Sequence, residues 1–399
     1  MGGDAGGVLG GLIDDSHYTA PHQLGALVAR HARGLGVSEA VLYLASLEQR
    51  TLEPLSGEGV PQRESLDIDG TLGGRAYRDI ATLEGALDGA RRLWVPLLDG
   101  SARLGVLEVL TMRQDDKAET ELRQFAGVVA ELIVSRSLYG DLFALTQRTR
   151  PMSLAAELQW SLLPPQTFND QRVTVSAVLE PAYSIAGDTF DYAFNSGVVH
   201  FAVLDAMGHE FDATLLATVA LAAYRHSRRA GDDLAGTYQA MDQAVASQFD
   251  DDSFLTALLA RFDPDTGQMR WLNAGHPAPM LVRDGSVISA LEADPTLPVG
   301  LGGAIGEIGE EWLEPGDIVL AYTDGLVEAR SPDGEFFGEE RLADLLVRAE
   351  TAGLSAAETS RRLVHSVLDH QQGRLQDDAT VVLLCWHQPP DAAAAPSER

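Results

Sequence analysis

Apolar residues fall along this chain in short runs and in helical stripes, and the two rhythms divide it into segments. From Pro21 to about Leu35 apolar positions recur at helical spacing, and residues 41–47, VLYLASL, read as a strand. Residues 93–110, LWVPLLDGSARLGVLEVL, read as two strands around Asp99-Gly100, a dipeptide in which both residues accept φ > 0. Leu122, Phe125, Val129, Leu132 and Ile133 then return at helical spacing, with Leu142 and Leu145 beyond, until Pro151 interrupts. A second short helical pattern, AAELQWSLLPP (155–165), stops at Pro164-Pro165. The long stripe admits two arrangements: a connecting or dimer-forming coiled helix, or a helix packed on its own domain.

Beyond residue 166 the rhythm changes. Strand signals sit at 173–179, 198–204, 254–262, 269–273, 280–283, 318–322 and 380–385. Helical patterns sit at 212–229, 234–248, 339–350 and 355–370. The turn sequences Asp263-Pro264-Asp265-Thr266-Gly267 and Asp284-Gly285 predict antiparallel hairpins. Strands in hairpins with separate helices indicate an α+β fold rather than a doubly wound parallel sheet. The expected division is a disordered tail at 1–14, an α+β domain at 15–138, linker helices at 139–165, a second domain at 166–388 and a disordered tail at 389–399.

Composition changes this picture in two ways. The net charge of −30 over 399 residues leaves no basic stripe for nucleic acid and disfavours docking on an anionic membrane. The lone Cys385, inside the apolar run 381–386, excludes an intramolecular disulfide and a thiolate metal cluster. No apolar stretch has the length of a membrane span, and MGGDAGGVLGG lacks the features of a signal peptide, so a cytoplasmic location is expected.

The candidate chemistry lies in carboxylates beside apolar runs. Asp188 sits in IAGDTFD (185–191), Asp205 ends FAVLD (201–205), Asp324 follows IVLAYT (318–323), and Asp377 and Asp378 precede the last strand. Any one of these reads as a turn residue. Several brought together would repel one another, and a divalent cation resolves that conflict. Oxygen-only ligands suit Mg²⁺ or Mn²⁺, and no His/Cys spacing competes for zinc. The small Ala206 and Gly325 are expected to let a carbonyl or water approach the ion. Two ions about 3.5–4 Å apart activate a water for attack on phosphorus without a nucleophilic side chain. In keeping with this, neither a G-x-S-x-G elbow nor a Walker loop is present.

AELQWSLLPP (156–165), AGDTFD (186–191), LDAMGH (204–209), FLTALLARFDPDTGQMRWLNAGHPAPMLV (254–282), LEPGDIVLAYTDGLVEAR (313–330) and QDDATVVLL (376–384) occur in this order. Together they resemble the SpoIIE-type branch of the metal-dependent (type 2C, PPM) Ser/Thr protein phosphatases. The resemblance implies an α-β-β-α sandwich holding two Mn²⁺ or Mg²⁺ ions. It implies that Asp205 is the bridging ligand, that Ala206 supplies a backbone carbonyl, and that Asp188, Asp324 and Asp377 are further metal-site aspartates. Asp191 and Asp378 are their neighbours. His276 in NAGHP (273–277) reads as a structural turn residue in preference to a general acid, and His209 likewise. No arginine adjoins Asp188 to hold a substrate phosphate. Residues 15–138 resemble a GAF sensor domain in layout, with no cysteine for a bilin and no cyclic-nucleotide signature; a ligand-free dimerisation domain is the alternative.

The resemblance implies a phosphorylated anti-sigma factor antagonist (a STAS-domain protein) as substrate, and a homodimer through the GAF-like domain and linker helices. Two rivals stay open: a non-catalytic phosphatase-fold binding module, and a hydrolase of a small phosphate ester. The chain departs from the family at Glu210, where GHG is usual, and at Ala186, which replaces the first Gly of GGD. If the loop needs left-handed backbone at 210, glutamate there is strained.

Overall fold

The computed structural model describes residues 5–87, 90–181, 183–184, 187–208, 210–373 and 375–387. It divides into two compact units, Met1–Pro151 and Met152–Arg399. The N-terminal unit holds helices α1 (Ala5–Ser16), α2 (Leu24–Ala32), α3 (Leu72–Asp79), α4 (Asp116–Ser137) and α5 (Leu142–Gln147). Its strands are β1 (Val37–Ala45), β2 (Thr51–Pro54), β3 (Leu66–Asp67), β4 (Leu83–Leu87), β5 (Ala90–Asp99) and β6 (Ala102–Thr111). They form one antiparallel sheet in the order β3-β2-β1-β6-β5-β4.

The two faces of β1 separate by alternation. Ala40, Leu42 and Leu44 join the cluster that contains Leu27 and Val28 of α2 and Phe125 and Val129 of α4. Val41, Tyr43 and Ala45 pack instead with Ala76 and Tyr77 of α3 and with Trp94. Leu122, Phe125, Val129 and Ile133 are all buried in the first cluster, so the α4 stripe is satisfied by its own unit. The β5–β6 hairpin turns through Gly100-Ser101, one residue later than the sequence suggested, because Asp99 pairs with Ala102 and Gly100 alone of the pair takes positive φ.

The expected N-terminal disorder is corrected over part of its length. Residues 5–16 form a helix despite their glycines, because Leu12 is fully buried and Val8 and Leu9 pack against the α2–α4 cluster. Burial of that seam outweighs the backbone entropy that glycine costs a helix. Residues 1–4 and the expected tail 389–399 lie outside the described residues.

The C-terminal unit opens with α6 (Leu154–Leu162) and continues with β7 (Thr167–Asn169), β8 (Val173–Glu180), β9 (Asp188–Asn195), β10 (Val198–Ala206), α7 (Glu210–Ala230) and α8 (Leu234–Gln248). Then follow β11 (Leu255–Asp263), β12 (Gln268–Ala274), β13 (Met280–Arg283), β14 (Ser286–Ala290), β15 (Ile308–Trp312) and β16 (Ile318–Tyr322). The last elements are α9 (Asp324–Val327), α10 (Glu339–Thr351), α11 (Ala356–His370) and β17 (Ala379–Trp386). Two antiparallel sheets result, in the orders β15-β12-β11-β10-β9 and β14-β13-β16-β17-β8-β7. Both expected hairpins form; at the β13–β14 turn Asp284 and Gly285 each take positive φ, as a two-residue loop requires.

Three apolar clusters follow from alternation along these strands. One joins Phe201 and Val203 of β10 and Leu258 of β11 to Val319 and Ala321 of β16 and Val382 of β17, so it gathers residues of both sheets. A second sets Ala202, Leu204 and Leu259 against Leu216 and Leu221 of α7 and Met241 of α8. A third sets Leu320, Tyr322 and Leu383 against Leu342 and Leu346 of α10 and Val364 of α11. A side chain on the first face at a strand end therefore lies where both sheets meet.

Candidate metal centre

Asp205 shares the face of Phe201 and Val203 on β10, four and two residues back, and so belongs to the inter-sheet side. On the neighbouring strand β9, Asp188 stands directly opposite Asp205, on the face of Phe190. From the other sheet, the ends of β16 and β17 bring Thr323, Asp324, Asp377, Asp378 and Thr380. Thr323 continues the inward face of Val319 and Ala321, and Asp378 and Thr380 continue that of Val382 and Leu384.

The two sheet ends are joined by hydrogen bonds on Asp188. Its Oδ2 accepts from Thr323 Oγ1 at 2.6 Å and from Thr380 Oγ1 at 2.7 Å. Asp378 Oδ2 accepts from the backbone N–H of Gly187 at 2.8 Å and of Asp188 at 3.3 Å. Asp377 is exposed, and its Oδ1 accepts from the Asp378 N–H. The glycines fit this close approach. A Cβ at Gly325 would lie 1.8 Å from the Asp378 carbonyl oxygen, and one at Gly187 would lie 2.5 Å from the Ala206 carbonyl oxygen. Gly325 is thus explained by backbone packing, in place of the approach to an ion read from sequence.

The charges are uncompensated. Burial first, then the charges of Asp205 and Asp378, hold the Asp188 carboxyl well above its ordinary range. Burial, with Asp324, Asp377 and Asp378, pushes Asp205 up to about 7. Asp324, at the start of α9, is raised by burial and then by Asp377 and Glu328. These are oxygen donors that repel one another, the condition a hard divalent cation relieves. Among the described residues no three His, Cys, Asp or Glu side chains converge closely enough to hold an ion as they stand. The fit to Mn²⁺ or Mg²⁺ is therefore one of donor chemistry and charge. Ala206 is buried at the end of β10, and its N–H donates to the Gly187 carbonyl at 3.3 Å.

Asp191 is not part of this group. It projects from the opposite face of β9, where its Oδ1 accepts from Arg225 at 2.7 Å and its Oδ2 from Arg228 at 2.6 Å, both on α7. Asp378, only a neighbour in the sequence reading, instead fixes the backbone at Asp188. Thr323 and Thr380 were missed altogether, although both stand inside the motifs TDG and DDAT. His276 is fixed by Asn273, whose Oδ1 accepts from the His276 N–H and whose Nδ2 donates to the His276 carbonyl. Its Nδ1 lies 2.8 Å from Thr256 Oγ1, and burial pushes its pKa down to about 3. A neutral imidazole at pH 7 serves the turn and does not supply a proton. His209 and Ala186 lie outside the described residues, while the Glu210 backbone is helical, the first residue of α7.

Residues 195–387 match the family described as Stage II sporulation protein E (SpoIIE). The match includes Asp205, Asp324 and Asp377 and begins after Asp188. Among curated proteins, the phosphoserine phosphatase RsbU of Bacillus subtilis (strain 168) is 24% identical over 235 residues, covering 58% of this chain and 69% of RsbU. Protein IcfG of Synechocystis is 26% identical over 259 residues, 57% of this chain, which spans only 40% of IcfG's length. Among solved structures, the SiaA-PP2C domain of Pseudomonas aeruginosa shares 22% identity with a TM-score of 0.49, covering 59% of this chain and 94% of that domain. What these matches share with the chain is its C-terminal unit, whose residues 195–387 fit the SpoIIE family model.

Proposed function

We propose that the C-terminal unit is a Mn²⁺- or Mg²⁺-dependent phosphoserine/phosphothreonine protein phosphatase built as an α-β-β-α sandwich. The observation that carries this reading is the placing of Asp188 opposite Asp205 on one sheet, with Asp324, Asp377 and Asp378 of the other sheet raising their charge cost. Asp205, Asp324 and Asp377, with Asp188 and the Ala206 carbonyl, would hold two ions. When bound, such ions supply a water of lowered pKa and positive charge toward the phosphoryl oxygens. The chain's own part is positional. Asp205 and Asp188 sit on paired strands rather than loops, and the Gly187 and Gly325 backbones let the opposing segments close to van der Waals contact. Hydrolysis forms a bond from a water oxygen to phosphorus and breaks the P–O bond to the serine or threonine oxygen, which leaves as the alcohol with a proton that balances from the water. The buried, neutral His276 is not its source.

The substrate reading follows from relationship. RsbU is named a phosphoserine phosphatase, and the family resemblance points to a phosphorylated anti-sigma factor antagonist. In this reading the antiparallel sheet of the N-terminal unit, covered by helices, is a GAF-like sensor that forms a homodimer and acts on the phosphatase through the segment around 139–165. Among the described residues no helix is long and apolar enough to cross a membrane.

The test is phosphate release from a phosphoserine peptide by the full chain with Mn²⁺ and with Mg²⁺. Asp205→Asn should cost about a thousandfold in kcat/KM, the effect of several kcal/mol of lost ion stabilisation. The binding-module rival has its own support in the absence of a convergent ligand trio among the described residues. No turnover by the wild type with either metal would favour it. Turnover of small phosphate esters but of no phosphoprotein would favour the metabolite hydrolase.

A further inference from the structure

We propose that Thr323 and Thr380 are positioning residues: a pair of hydroxyls that locks the Asp188 carboxylate across the two sheets and limits it to one oxygen for an ion. The inference rests on the metal reading of this site and goes beyond it in assigning a task to two side chains outside the ligand set.

The two threonines follow from strand alternation. Thr323 extends the inward face of β16 by one step past Ala321, and Thr380 begins the inward face of β17 before Val382. Both are fully buried. Their backbones are also tied together, since the Thr323 N–H donates to the Thr380 carbonyl at 3.1 Å. A buried threonine hydroxyl needs a partner, and both of these find the same one, Asp188 Oδ2, at 2.6 and 2.7 Å.

Direction is settled by the remaining bond. The Thr380 N–H donates to Thr323 Oγ1 at 3.0 Å, so that oxygen is an acceptor from the backbone and turns its hydrogen to Asp188. Meanwhile Asp378 Oδ2 holds the N–H groups of Gly187 and Asp188. The side chain and the backbone of Asp188 are thus both gripped by the end of the opposite sheet. With Oδ2 taking two hydroxyl donors, Oδ1 is the oxygen that would face an ion, and Asp188 would bind through one oxygen only. Groups that orient a ligand in this way typically govern metal affinity by ten- to hundredfold.

The cleaner variant is Thr380→Val, which keeps the shape and removes one donor; Thr323→Val also strands the Thr380 N–H. Mn²⁺ affinity of the full chain should be measured directly by calorimetric titration, with unfolding in EDTA as the control for fold. Thr380→Val should weaken Mn²⁺ binding about tenfold or more while the protein stays folded at the titration temperature, and Thr380→Ser should restore it to within about twofold. Wild-type affinity in Thr380→Val, or an equal loss in Thr380→Ser, would overturn the lock. A wild type that binds no Mn²⁺ would instead remove the metal reading, and the lock's role with it. The two failures are told apart by the wild-type titration alone.

Discussion

Asp188 and Asp191 lie three residues apart on one strand, are 3% and 2% exposed, and have opposite surroundings. Asp191 faces α7, where two arginines take one oxygen each, and the Arg225 group that meets it also donates to the Leu162 carbonyl at the end of α6. Asp188 faces Asp205 and Asp378, and among the described residues the donors at its Oδ2 are two neutral hydroxyls. Burial is therefore equal, and compensation is what differs. A buried carboxylate paired with cations is part of the framework, whereas one set against other carboxylates awaits a charge from outside. The period of two in the strand turns one residue to each side, so an uncompensated and a compensated carboxylate sit back to back on β9.

The comparison can be broken at either end. The largest effect on folding is expected at the compensated end. Asp191→Ala leaves Arg225 and Arg228 facing each other's charge in a largely buried setting, and should cost about 3–5 kcal/mol in denaturant unfolding. A loss below about 1 kcal/mol would mean that water compensates the arginines and that Asp191 is no anchor.

At the uncompensated end the sign reverses. The Asp205 pKa is raised in the folded chain to about 7, so between about pH 4 and 7 the folded state binds more protons than the unfolded. Stability from this group thus falls as pH rises through that window and stays low above it. Asp205→Asn removes the penalty. In EDTA at pH 7.5 it should stabilise the C-terminal unit by roughly 1 kcal/mol, about 2–4 °C in Tm, and the gain should shrink toward pH 5. His276 works the other way. Its lowered pKa makes folding less favourable as pH falls below its ordinary value near 6.5, but that slope is shared by wild type and variant and cancels in their difference. In Mn²⁺ at 100 times its Kd the order should invert, because the wild type gains about 2.7 kcal/mol from a bound ion and the variant does not. A variant less stable than wild type in EDTA would show that Asp205 is compensated after all.

Much of this site was legible in the chain and part of it was not, for reasons that can be assigned to residues. Asp205 and Asp324 were visible because each directly follows an apolar strand, a local signal. The difference between Asp188 and Asp191 was not, because their partners lie 34 to 192 residues away in the chain. The strand β9 itself escaped notice, since its inward positions begin with an aspartate instead of an apolar residue. β15, IGEEW, is too short and polar for a pattern, and α1 was masked by glycines that its buried Leu12 overrides. Alternation places a residue on a face; it does not say what the other sheet brings to meet it.

The smallest expected effect concerns Glu210, the first residue of α7. A glutamate at 210 is strained only if the loop needs left-handed backbone there. The loop after Asp205 does have a left-handed residue, but it is Gly208, with φ +96°, while 210 is the first residue of α7. Gly208 has no heavy atom within 4 Å of the place a Cβ would occupy, so its requirement is conformational and not steric. Gly208→Ala should therefore cost about 1–2 kcal/mol. Glu210→Gly, in contrast, relieves no strain. It costs the backbone entropy of a glycine at a helix start, less than about 1 kcal/mol. Phosphate release by Glu210→Gly should stay within about twofold of wild type, because the substitution releases no strain in the loop. A severalfold rise would mean that the first turn of α7 opens during turnover and that position 210 then takes the left-handed backbone it does not take at rest.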